Sequence, residues 1–413
     1  MIGWWALRDS NLDDGLRSLV AESGCRSVNS ESGTSVIRLL IAGESSGETP
    51  HSAFAGGRLM TAHQPAGSNR ATALRNVLLS ARVAALVSLG VRLGLYQAMK
   101  DGSRLTSADL ASRTAYHERW VLEWLRGQAA AGIVAYDGEG RFELPPEIAV
   151  LLANANDLGY VGHQFEFLPD WMGIVERLPE AFRTGLGLSW DDRGSWSAER
   201  IEKVFRNWYR QVLVPTALPQ LDGVVPRLES GGTVADVGCG AGLALIEMAK
   251  AFPRSEFHGY EVSEHALARA EKHREEAQEA NVYFHNVASE PLPADGSFDL
   301  VCTLDCLHDM THPHREAASI RRAIKEDGVW FIADVNCAPT FEENLKNPMA
   351  PGLYAASVLQ CLPAGLSEPG GAGLGTLGLP EPKMKELVER AGFTRFRRLD
   401  LPSPLNAYYE ARA

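Results

Sequence analysis

The feature that most constrains the fold is an apolar segment with one acidic residue that runs directly into three closely spaced glycines. Val234-Ala235-Asp236-Val237 predicts a buried strand, Gly238-Cys239-Gly240-Ala241-Gly242 a tight turn, and Leu243 to Ala251 a helix. Glycine allows the backbone angles of such a turn and lets a ligand come close to the strand end. The pattern therefore predicts an α/β sheet with a ligand site at the carboxyl end of this strand.

Short apolar runs and helical stretches alternate over the rest of the C-terminal half. That alternation is typical of a doubly wound sheet, in which helices cover both faces of parallel strands. The chain has 413 residues, more than one hydrophobic core usually serves, so a second compact unit is expected ahead of the sheet. The predicted strands after the first are Glu256 to Tyr260, Asn281 to His285, Leu300 to Leu304 and Val329 to Val335.

The ligand at the glycine turn is predicted to contain a nucleoside and a positive charge but no phosphate. A nicotinamide-binding fingerprint reads GxGxxG, whereas the third glycine here comes one residue early, and Asp236 would repel a pyrophosphate. A P-loop would need Gly-Lys-Ser or Gly-Lys-Thr after the turn. Asp236 suits a cationic amino group instead, and Glu261, 25 residues later at the end of the second strand, suits two ribose hydroxyls.

Asp236, the glycine turn and Glu261 together resemble the class I S-adenosylmethionine-dependent methyltransferases, whose first motif is an acidic residue followed by a GxGxG turn. The resemblance implies a Rossmann-like, doubly wound, seven-stranded α/β sheet with S-adenosyl-L-methionine as the cofactor. Asn286 stands where that family usually places an aspartate against the adenine, so an amide replaces the acid there. The cofactor-binding residues that the resemblance implies are Asp236, Gly238, Cys239, Gly240, Gly242, Glu261, Val262, Asn286, Val287 and Asp305.

Leu307-His308-Asp309 follows the fourth predicted strand, at the edge where ligands meet in open α/β sheets. The tripeptide resembles the small-molecule O-methyltransferases of the caffeate and hydroxyindole type, bacterial members included, in which the histidine is the catalytic base. The resemblance implies His308 and Asp309 as catalytic residues, with Met310 where those enzymes commonly have tryptophan. An ordinary imidazole, with a pKa of about 6.5, would be neutral and available as a base at neutral pH.

The function that this pattern predicts is transfer of a methyl group to a hydroxyl of a small, aromatic or otherwise hydroxylated metabolite. A positioned base that removes the hydroxyl proton during attack accelerates such a transfer by about 10²- to 10⁴-fold. The same base and geometry would serve N- or C-methylation, so those reactions stay open. No metal is predicted, because the clustered carboxylates of metal-dependent relatives are not recognisable in the sequence.

Residues 71–155 carry the pattern of a winged helix, in which three helices precede a two-stranded ribbon. Thr106 and Asp109 predict the cap of one helix, and Ile133 to Tyr136 and Arg141 to Leu144 flank a turn that contains two glycines. In the O-methyltransferases that the sequence resembles, a module of this kind mediates dimerisation. The resemblance therefore implies a homodimer formed through residues 71–155.

The alternative from another class is a transcriptional regulator that binds S-adenosylmethionine and places its winged helix on DNA. Residues 71–150 hold nine Lys and Arg against eight Asp and Glu, which is not the basic surface that phosphate binding requires. The helix that would read DNA carries Glu118 and Glu123, while its Trp120 and Trp124 suit burial against a partner chain. Dimerisation is the favoured interpretation, and nucleic acid is not expected as a partner.

Residues 156–222 are rich in aromatic and amphipathic helix signals and predict connecting helices that cover the substrate. A methyltransferase domain over residues 223–413 follows them. Together with His308, the candidate substrate contacts are His163, Phe165 and Trp171. Aromatic residues at helical spacing also occur in ordinary cores, so packing is the alternative for Phe165 and Trp171, and a partly buried position in the cover is the alternative for His163.

Charge and cysteine usage narrow the partners and the compartment. The 52 Asp and Glu against 40 Lys and Arg give a net charge of −12, which makes nucleic acid and anionic membranes poor partners for the whole chain. The six cysteines form no CxxC pair, which favours reduced thiols in the cytoplasm. Arg82 and Arg92 interrupt the longest apolar stretch, Val77 to Met99, and the N-terminus lacks a signal-peptide core, so neither a membrane span nor export is predicted.

Residues 1–70 mix Ser, Gly and scattered charge without a sustained helical or strand period, which predicts a poorly ordered extension. A segment that begins at Met60 leads directly into the first strongly patterned helix. We therefore hypothesise that translation starts at Met60. N-terminal sequencing of the native protein would contradict this by finding residues before Met60.

Overall fold

The computed structural model describes residues 67–401, 403 and 405–413. The predicted start at Met60, and the predicted extension up to residue 66, lie outside these residues. From Gly67 onward the described chain contains, in order, a winged-helix module, a run of short helices, and an α/β sheet domain.

The winged-helix module has the elements that the sequence predicts. The Thr106 hydroxyl accepts the Asp109 backbone N–H at 3.2 Å, and the Asp109 carboxylate accepts the Thr106 N–H at 2.9 Å, so one helix begins in a capping box. The two wing strands pair antiparallel, with Tyr136 opposite Phe142. The elements are α1 (Gly67–Arg92), α2 (Leu95–Ala98), α3 (Ser107–Thr114), α4 (Glu118–Ala130), β1 (Ala135–Tyr136), β2 (Phe142–Glu143) and α5 (Pro146–Leu152).

The two tryptophans of α4 differ in burial, which corrects one expectation. Trp124 is 4% exposed, because its indole N–H donates to the Leu86 carbonyl at 3.0 Å and its ring meets Tyr96 edge-on at 5.1 Å between centroids. Trp124 therefore belongs to the core of its own module and is not free to meet a partner chain. Trp120 is 79% exposed, so of the two only Trp120 keeps that predicted role.

Helix α1 presents an apolar surface. Its residues Leu74, Val77, Leu78 and Leu79 are each more than half exposed. By length and composition alone, Arg70–Arg92 could cross a membrane, with a mean hydropathy of 1.5 and 17% of the apolar window buried. Arg82 and Arg92 therefore do not by themselves exclude a membrane span at α1.

Residues 156–222 are mostly helical and begin several helices with proline. Pro169 and Pro179 each lie in a first turn, where the missing N–H has no intrahelical partner to lose. The α-helices are α6 (Gly162–Glu166), α7 (Leu168–Gly173), α8 (Leu178–Thr184) and α9 (Ser195–Trp208), with 3-10 turns at Ile174–Glu176, Asp191–Arg193 and Leu218–Gln220 and a π-helical segment at Tyr209–Ala217.

The C-terminal part is a seven-stranded sheet with intervening helices, as the resemblance implies. Its strands are β3 (Thr233–Val237), β4 (Glu256–Glu261), β5 (Val282–Asn286), β6 (Phe298–Leu304), β7 (Ile324–Val335), β8 (Arg395–Leu399) and β9 (Asn406–Arg412). Its helices are α10 (Val224–Ser230), α11 (Leu243–Ala251), α12 (Glu264–Ala277), α13 (Pro313–Ala323), α14 (Phe341–Asn344), α15 (Ala350–Ala356), α16 (Leu362–Gly365) and α17 (Glu381–Arg390), with a 3-10 turn at Leu307–Asp309 and a π-helical turn at Ser357–Cys361.

The strand order is β5-β4-β3-β6-β7-β9-β8. Strands β3 to β7 pair in parallel, whereas β9 runs antiparallel to both β7 and β8, so the sheet is mixed. The chain order reverses between β3 and β6, and ligands of open α/β sheets lie outside the carboxyl ends of the strands at such a point. The ends of β3, β4 and β6, at Val237, Glu261 and Leu304, therefore share the edge where the predicted site residues follow.

Both faces of the sheet carry an apolar core, and β3 contributes to each. Val234 belongs to one cluster of buried side chains, while Ala235 and Val237 belong to the cluster on the opposite face. Burial on both faces explains why the parallel strands read as nearly continuous apolar runs.

Strands β8 and β9 form an antiparallel pair that the sequence analysis did not identify. Strand β8 reads Arg-Phe-Arg-Arg-Leu and lies at the sheet edge, where charged side chains prevent pairing with other chains. Both strands mix charged with apolar residues, so a search for apolar runs does not find them.

Candidate active site

The glycine turn after β3 is fixed by close packing at two glycines and open at the third. Gly238, Gly240 and Gly242 have φ angles of 77°, 54° and 73°, a region that favours glycine. A Cβ at Gly238 would lie 2.9 Å from the Cys306 sulfur, and one at Gly242 would collide with the Phe284 ring. A Cβ at Gly240 would meet no atom within 4 Å. The turn therefore borders open space at Gly240.

Glu261 approaches the turn from the end of the neighbouring strand. One of its carboxylate oxygens accepts the Gly240 N–H at 2.9 Å, and the other accepts the Val262 and Ser263 N–H groups at 2.9 Å each. Burial raises the pKa of Glu261, and these three N–H groups oppose that rise by stabilising the anion. Because a carboxylate has about four acceptor positions, roughly one is left for a ribose hydroxyl.

Asp236 is buried at the end of β3 with an unsatisfied oxygen. It is 2% exposed, and its Oδ1 has no hydrogen-bond partner among residues 67–401, 403 and 405–413. Burial, followed by repulsion from Glu261, raises the pKa of Asp236 to about 8. A cationic group would supply both the missing donor and the counter-charge. The residues present therefore fit a cofactor that brings positive charge, as S-adenosylmethionine does.

Asp236 should make the stability of the cofactor-free protein fall as pH rises from about 5 to about 8. Its pKa is about 8 in the folded chain against 3.8 for an ordinary aspartate, so folding favours the protonated carboxyl and this contribution is lost as pH rises through the folded-state value. As pH rises over this range, we expect the melting temperature of Asp236→Asn to fall less steeply than that of the wild type. Equal slopes for wild type and variant would contradict the assignment.

The residues assigned to the adenine lie next to Glu261. Asn286 is opposite Glu261 in the β4–β5 register, and the Val287 N–H donates to the Glu261 carbonyl at 3.0 Å. Val262 is 56% exposed at the same edge. Cys239 is buried in one face of the core, so its side chain packs internally while its backbone forms part of the turn. The structure thus brings these residues together, and their contacts with the adenine stay a prediction.

Asp305 follows β6 with a φ of 63°, which is unusual for a residue other than glycine. Its N–H donates to the Ala333 carbonyl at 2.7 Å, and its carboxylate accepts the Asn406 side-chain N–H at 2.6 Å. Burial raises the pKa of Asp305 to about 6. Backbone held in this region by its surroundings is common at functional sites. Here it directs the following segment across β3, where the Cys306 thiol lies 3.2 Å from the Val237 carbonyl oxygen.

His308 is held on one side by a carboxylate that the sequence analysis did not locate. It lies in the single 3-10 turn Leu307–Asp309 and is 2% exposed. Its Nδ1 lies 2.7 Å from Oδ1 of Asp334, and its backbone N–H donates to Oδ2 of Asp334 at 3.3 Å. The carboxylate fixes Nδ1 as the nitrogen that carries a proton, which leaves Nε2 to exchange one.

Asp334 does have a signal in the sequence. It lies next to the end of β7 in Phe331-Ile332-Ala333-Asp334-Val335, as Asp236 does at the end of β3 in Val234-Ala235-Asp236-Val237. A lone acid near the carboxyl end of a buried strand is costly unless it has a partner or a function. That criterion selects both residues.

The Nε2 side of His308 faces Cys361. The Cys361 sulfur lies 3.3 Å from Nε2, and ligand atoms of His308, Asp309 and Cys361 lie within 4.8 Å of one another. Burial raises the pKa of Asp309 to about 7, although His308 opposes the rise. These three residues, and likewise Asp305, His308 and Asp334, have atom types and spacing that could hold a metal ion. The sequence-based expectation of a metal-independent site therefore stays a prediction.

The protonation of His308 differs from the expectation for an ordinary imidazole. Burial by itself would lower the pKa of His308, but its interactions with Asp334 and Cys361 raise it well above the usual value. These contacts therefore shift His308 toward the imidazolium. A proton must leave Nε2 before His308 can act as a base.

Two of the predicted substrate contacts in the short helices lie away from His308. Phe165 packs against the core of the winged-helix module. The His163 ring lies 4.7 Å from the Tyr160 ring, and its Nδ1 lies 3.4 Å from a Glu166 oxygen. Their roles as substrate contacts stay a prediction without a described contact to support them.

Trp171 is connected through an arginine to the segment that contacts His308. The Arg200 guanidinium lies 5.8 Å from the Trp171 ring centre and donates to the Gln360 side chain. Gln360 directly precedes Cys361 in the chain. Of the three candidates, Trp171 is the one for which described contacts lead toward His308.

The seven-stranded sheet, the glycine turn after β3 and the two acidic residues beside it, Asp236 and Glu261, define the class I methyltransferase fold. Residues 228–362 match the family described as a methyltransferase domain, and residues 81–154 match the family described as an Rv2258c-like winged helix-turn-helix domain. The chain therefore carries a methyltransferase domain preceded by an Rv2258c-like winged domain. Both were predicted from the sequence, and the first supports S-adenosylmethionine as the cofactor.

Solved structures of similar fold cover most of the chain. A protein from Nostoc punctiforme described as an O-methyltransferase superposes with a TM-score of 0.63 at 19% identity, over 84% of this chain and 99% of its own. Human N-acetylserotonin methyltransferase, in complex with S-adenosylmethionine, superposes with a TM-score of 0.60 at 16% identity, over 86% of this chain and 99% of its own. At these identities the likeness establishes the fold.

Curated relatives match over a smaller part. The ubiquinone biosynthesis O-methyltransferase of Albidiferax ferrireducens is 30% identical over 141 residues, which are 34% of this chain and 53% of the relative. That of Leptothrix cholodnii is 27% identical over 156 residues, 37% of this chain and 63% of the relative. The chain thus spans about half to two thirds of the length of these relatives.

Proposed function

We propose that this protein transfers a methyl group from S-adenosylmethionine to a hydroxyl of a small metabolite, with His308 as the general base. The observation that carries the proposal is the 2.7 Å contact of Nδ1 of His308 with Asp334. It lies at the same sheet edge as Asp236, whose unpartnered oxygen suits a cationic cofactor. The named O-methyltransferases among the similar proteins support oxygen as the acceptor atom.

In this proposal the cofactor-binding residues hold and orient the cofactor, and His308 accepts the proton of the acceptor hydroxyl. Asp236 and Glu261 would bind the positively charged and ribose parts of the cofactor beside the glycine turn. When bound, the cofactor supplies a methyl group activated by a positively charged sulfur. Asp334 keeps Nδ1 of His308 protonated, so Nε2 takes the proton of the acceptor hydroxyl. The hydroxyl would replace the Cys361 thiol as the neighbour of Nε2.

Holding the reacting groups in line contributes more to the rate at such a site than removal of the hydroxyl proton does. Alignment of nucleophile, methyl and sulfur supplies up to about 7 to 11 kcal/mol in favourable cases. His308 and Asp334 suit this role because both are almost fully buried, at 2% and 1% exposure, and are linked through side chain and backbone. A small, aromatic hydroxylated metabolite remains the proposed substrate class.

The test of the proposed function is transfer of a labelled methyl group. The full chain is incubated with S-adenosylmethionine labelled in the methyl group and with sets of phenols, amines and carbon acids. We expect labelled methyl ethers. Labelled N-methyl or C-methyl products alone would assign the same site to another acceptor atom, and specific, salt-sensitive binding to DNA without transfer would favour the regulator.

The pH dependence of the rate should report the partner of His308. Because Asp334 raises the pKa of His308, we expect kcat/KM to increase through a midpoint above that of free imidazole, about 6.5. In Asp334→Asn the midpoint should move to lower pH while the plateau falls, since the amide no longer stabilises the imidazolium or fixes its tautomer. An unchanged midpoint in this variant would show that another group limits the rate.

The proposed homodimer uses the exposed face of α1 and Trp120. Each exposed leucine that becomes buried contributes about 1.5 to 3 kcal/mol, so Leu78→Asp should weaken the dimer by about ten- to a hundredfold. Light scattering after gel filtration measures this at several concentrations. Leu345→Asp, which changes a similarly exposed leucine of the sheet domain, is the control. A monomeric wild type, or one that binds lipid vesicles through α1, would contradict the dimer.

A further inference from the structure

Two arginines that have no carboxylate partner among the described residues are buried next to the proposed catalytic residues. Arg193 is 5% and Arg200 is 8% exposed. Nη2 of Arg193 donates to the Gln360 carbonyl at 2.6 Å, and Nη2 of Arg200 donates to the Gln360 side-chain oxygen. The next residue, Cys361, contacts Nε2 of His308 at 3.3 Å. Both guanidinium groups thus contact Gln360, the residue that directly precedes Cys361, and the Cys361 thiol faces the proposed base.

Several donors of this cluster have no acceptor in the part of the chain that the structure describes. The buried atoms without a hydrogen-bond partner include Nε and Nη1 of Arg193, Nε of Arg200 and Nε1 of Trp171. Nearly all buried polar groups in folded proteins are hydrogen-bonded, so orphaned groups in one place call for an explanation. Every one of these four atoms is a donor, and none can accept. The partner that they lack is therefore an acceptor with more than one oxygen.

The charges of the cluster face aromatic rings but no anion in the described chain: the Arg193 guanidinium lies 4.5 Å from the Trp190 ring centre and that of Arg200 lies 5.8 Å from the Trp171 ring centre. Within the part of the chain that the structure describes, neither guanidinium has a carboxylate oxygen within 4.0 Å. Asp309 acts on Arg193 and Asp305 on Arg200 only at longer range. Arginine remains charged at neutral pH, and a buried charge without a partner is strongly destabilising. The missing acceptor is therefore expected to be an anion.

We propose that Arg193 and Arg200 bind a carboxylate of the methyl acceptor, so that the substrate is an acidic, hydroxylated small molecule. A planar guanidinium matches the two oxygens of a carboxylate, and the Trp171 indole N–H provides a further donor. An acceptor anchored in this way would have its hydroxyl kept near Nε2 of His308. This inference rests on the proposed function, because it names the acceptor of that reaction.

Matched pairs of acids and amides test the inference through binding alone. The full chain loaded with S-adenosylhomocysteine is titrated calorimetrically, at constant ionic strength, with benzoate, 4-hydroxybenzoate and 3,4-dihydroxybenzoate and with the three corresponding benzamides. We expect each acid to bind about ten- to a hundredfold more tightly than its amide, the range that charge-assisted hydrogen bonds correspond to. Acids that bind no better than their amides, or that do not bind, overturn the inference.

Substitutions assign the preference to the two arginines. Arg193→Met and Arg200→Met keep a long apolar side chain and remove the charge, so each should lose most of the acid preference while S-adenosylhomocysteine still binds. Arg206→Met is the matched control, since Arg206 lies on α9 with Arg200 but pairs with Glu202. An acid preference that persists in both Arg193 and Arg200 variants overturns the assignment. If a variant fails to fold, the wild-type comparison of acids with amides still decides.

Failure of this inference is distinguishable from failure of the proposed function. Labelled methyl transfer to neutral phenols as efficient as to the matched acids retains the function and overturns the carboxylate site. Tight, arginine-dependent binding of acids without any transfer retains the carboxylate site and contradicts the proposed O-methylation.

Discussion

His308→Ala should lower the rate of methyl transfer by about 10²- to 10⁴-fold, the usual contribution of a positioned general base. The alanine removes the imidazole whose Nε2, oriented through Asp334, is proposed to take the acceptor proton. Cofactor binding should not change, because Asp236, the glycine turn and Glu261 are untouched. The measurements are single-turnover methyl transfer and calorimetric binding of S-adenosylhomocysteine.

The chain supplies a histidine control for this prediction. His314 is exposed in the first turn of α13, six residues from His308, so His314→Ala should keep the wild-type rate. A His308→Ala enzyme with nearly wild-type kcat would remove the base from the mechanism. A loss of transfer that is accompanied by a loss of cofactor binding would instead point to a structural effect.

Gly240→Leu should abolish most cofactor binding while leaving the fold intact. A Cβ at Gly240 meets no atom of the described residues within 4 Å, so a larger side chain there projects into the space proposed for the cofactor. Overfilling a tight site costs about 1 to 3 kcal/mol, which corresponds to about a five- to 150-fold larger dissociation constant for S-adenosylhomocysteine.

Gly102→Leu separates this steric effect from backbone strain. Gly102 has a φ of 67°, similar to the 54° of Gly240, and a Cβ there would also meet nothing within 4 Å, but it lies in the winged-helix module. The strain of a left-handed residue, about 1 to 2 kcal/mol, should lower the melting temperature of both variants. Only Gly240→Leu should lose cofactor affinity. Equal affinity in both variants would place the cofactor elsewhere.

The parts of the fold that could be predicted from the sequence are those with a simple local signal. The turn after β3 was predictable because few other structures place an acidic residue and three closely spaced glycines at the end of a strand. The capping box at Thr106 and Asp109 was predictable because each side chain bonds the other's backbone N–H. The seven-stranded fold followed from the resemblance and the winged helix from the pattern of three helices and a two-stranded ribbon, and both are confirmed.

Other parts depend on contacts between residues that are distant in the chain. The pairing of His308 with Asp334 spans 26 residues, and that of His308 with Cys361 spans 53, so no local pattern marks either. The raised pKa of His308 follows from these contacts, which is why the expectation of an ordinary imidazole differs from the structure. Arg193 and Arg200 look like surface residues in the sequence, because burial of a charge is visible only in three dimensions.

Because Asp334 holds His308, the residues proposed for proton transfer are separate from those proposed to select the acceptor. The proposed base takes its orientation from strand β7, which lies inside the sheet between β6 and β9, whereas the arginines proposed to select the acceptor belong to helical segments outside it. Residues in such connecting segments tolerate replacement better than a central strand does. New acceptors could therefore evolve by changes around Arg193 and Arg200 while the proton-transfer machinery is inherited unaltered.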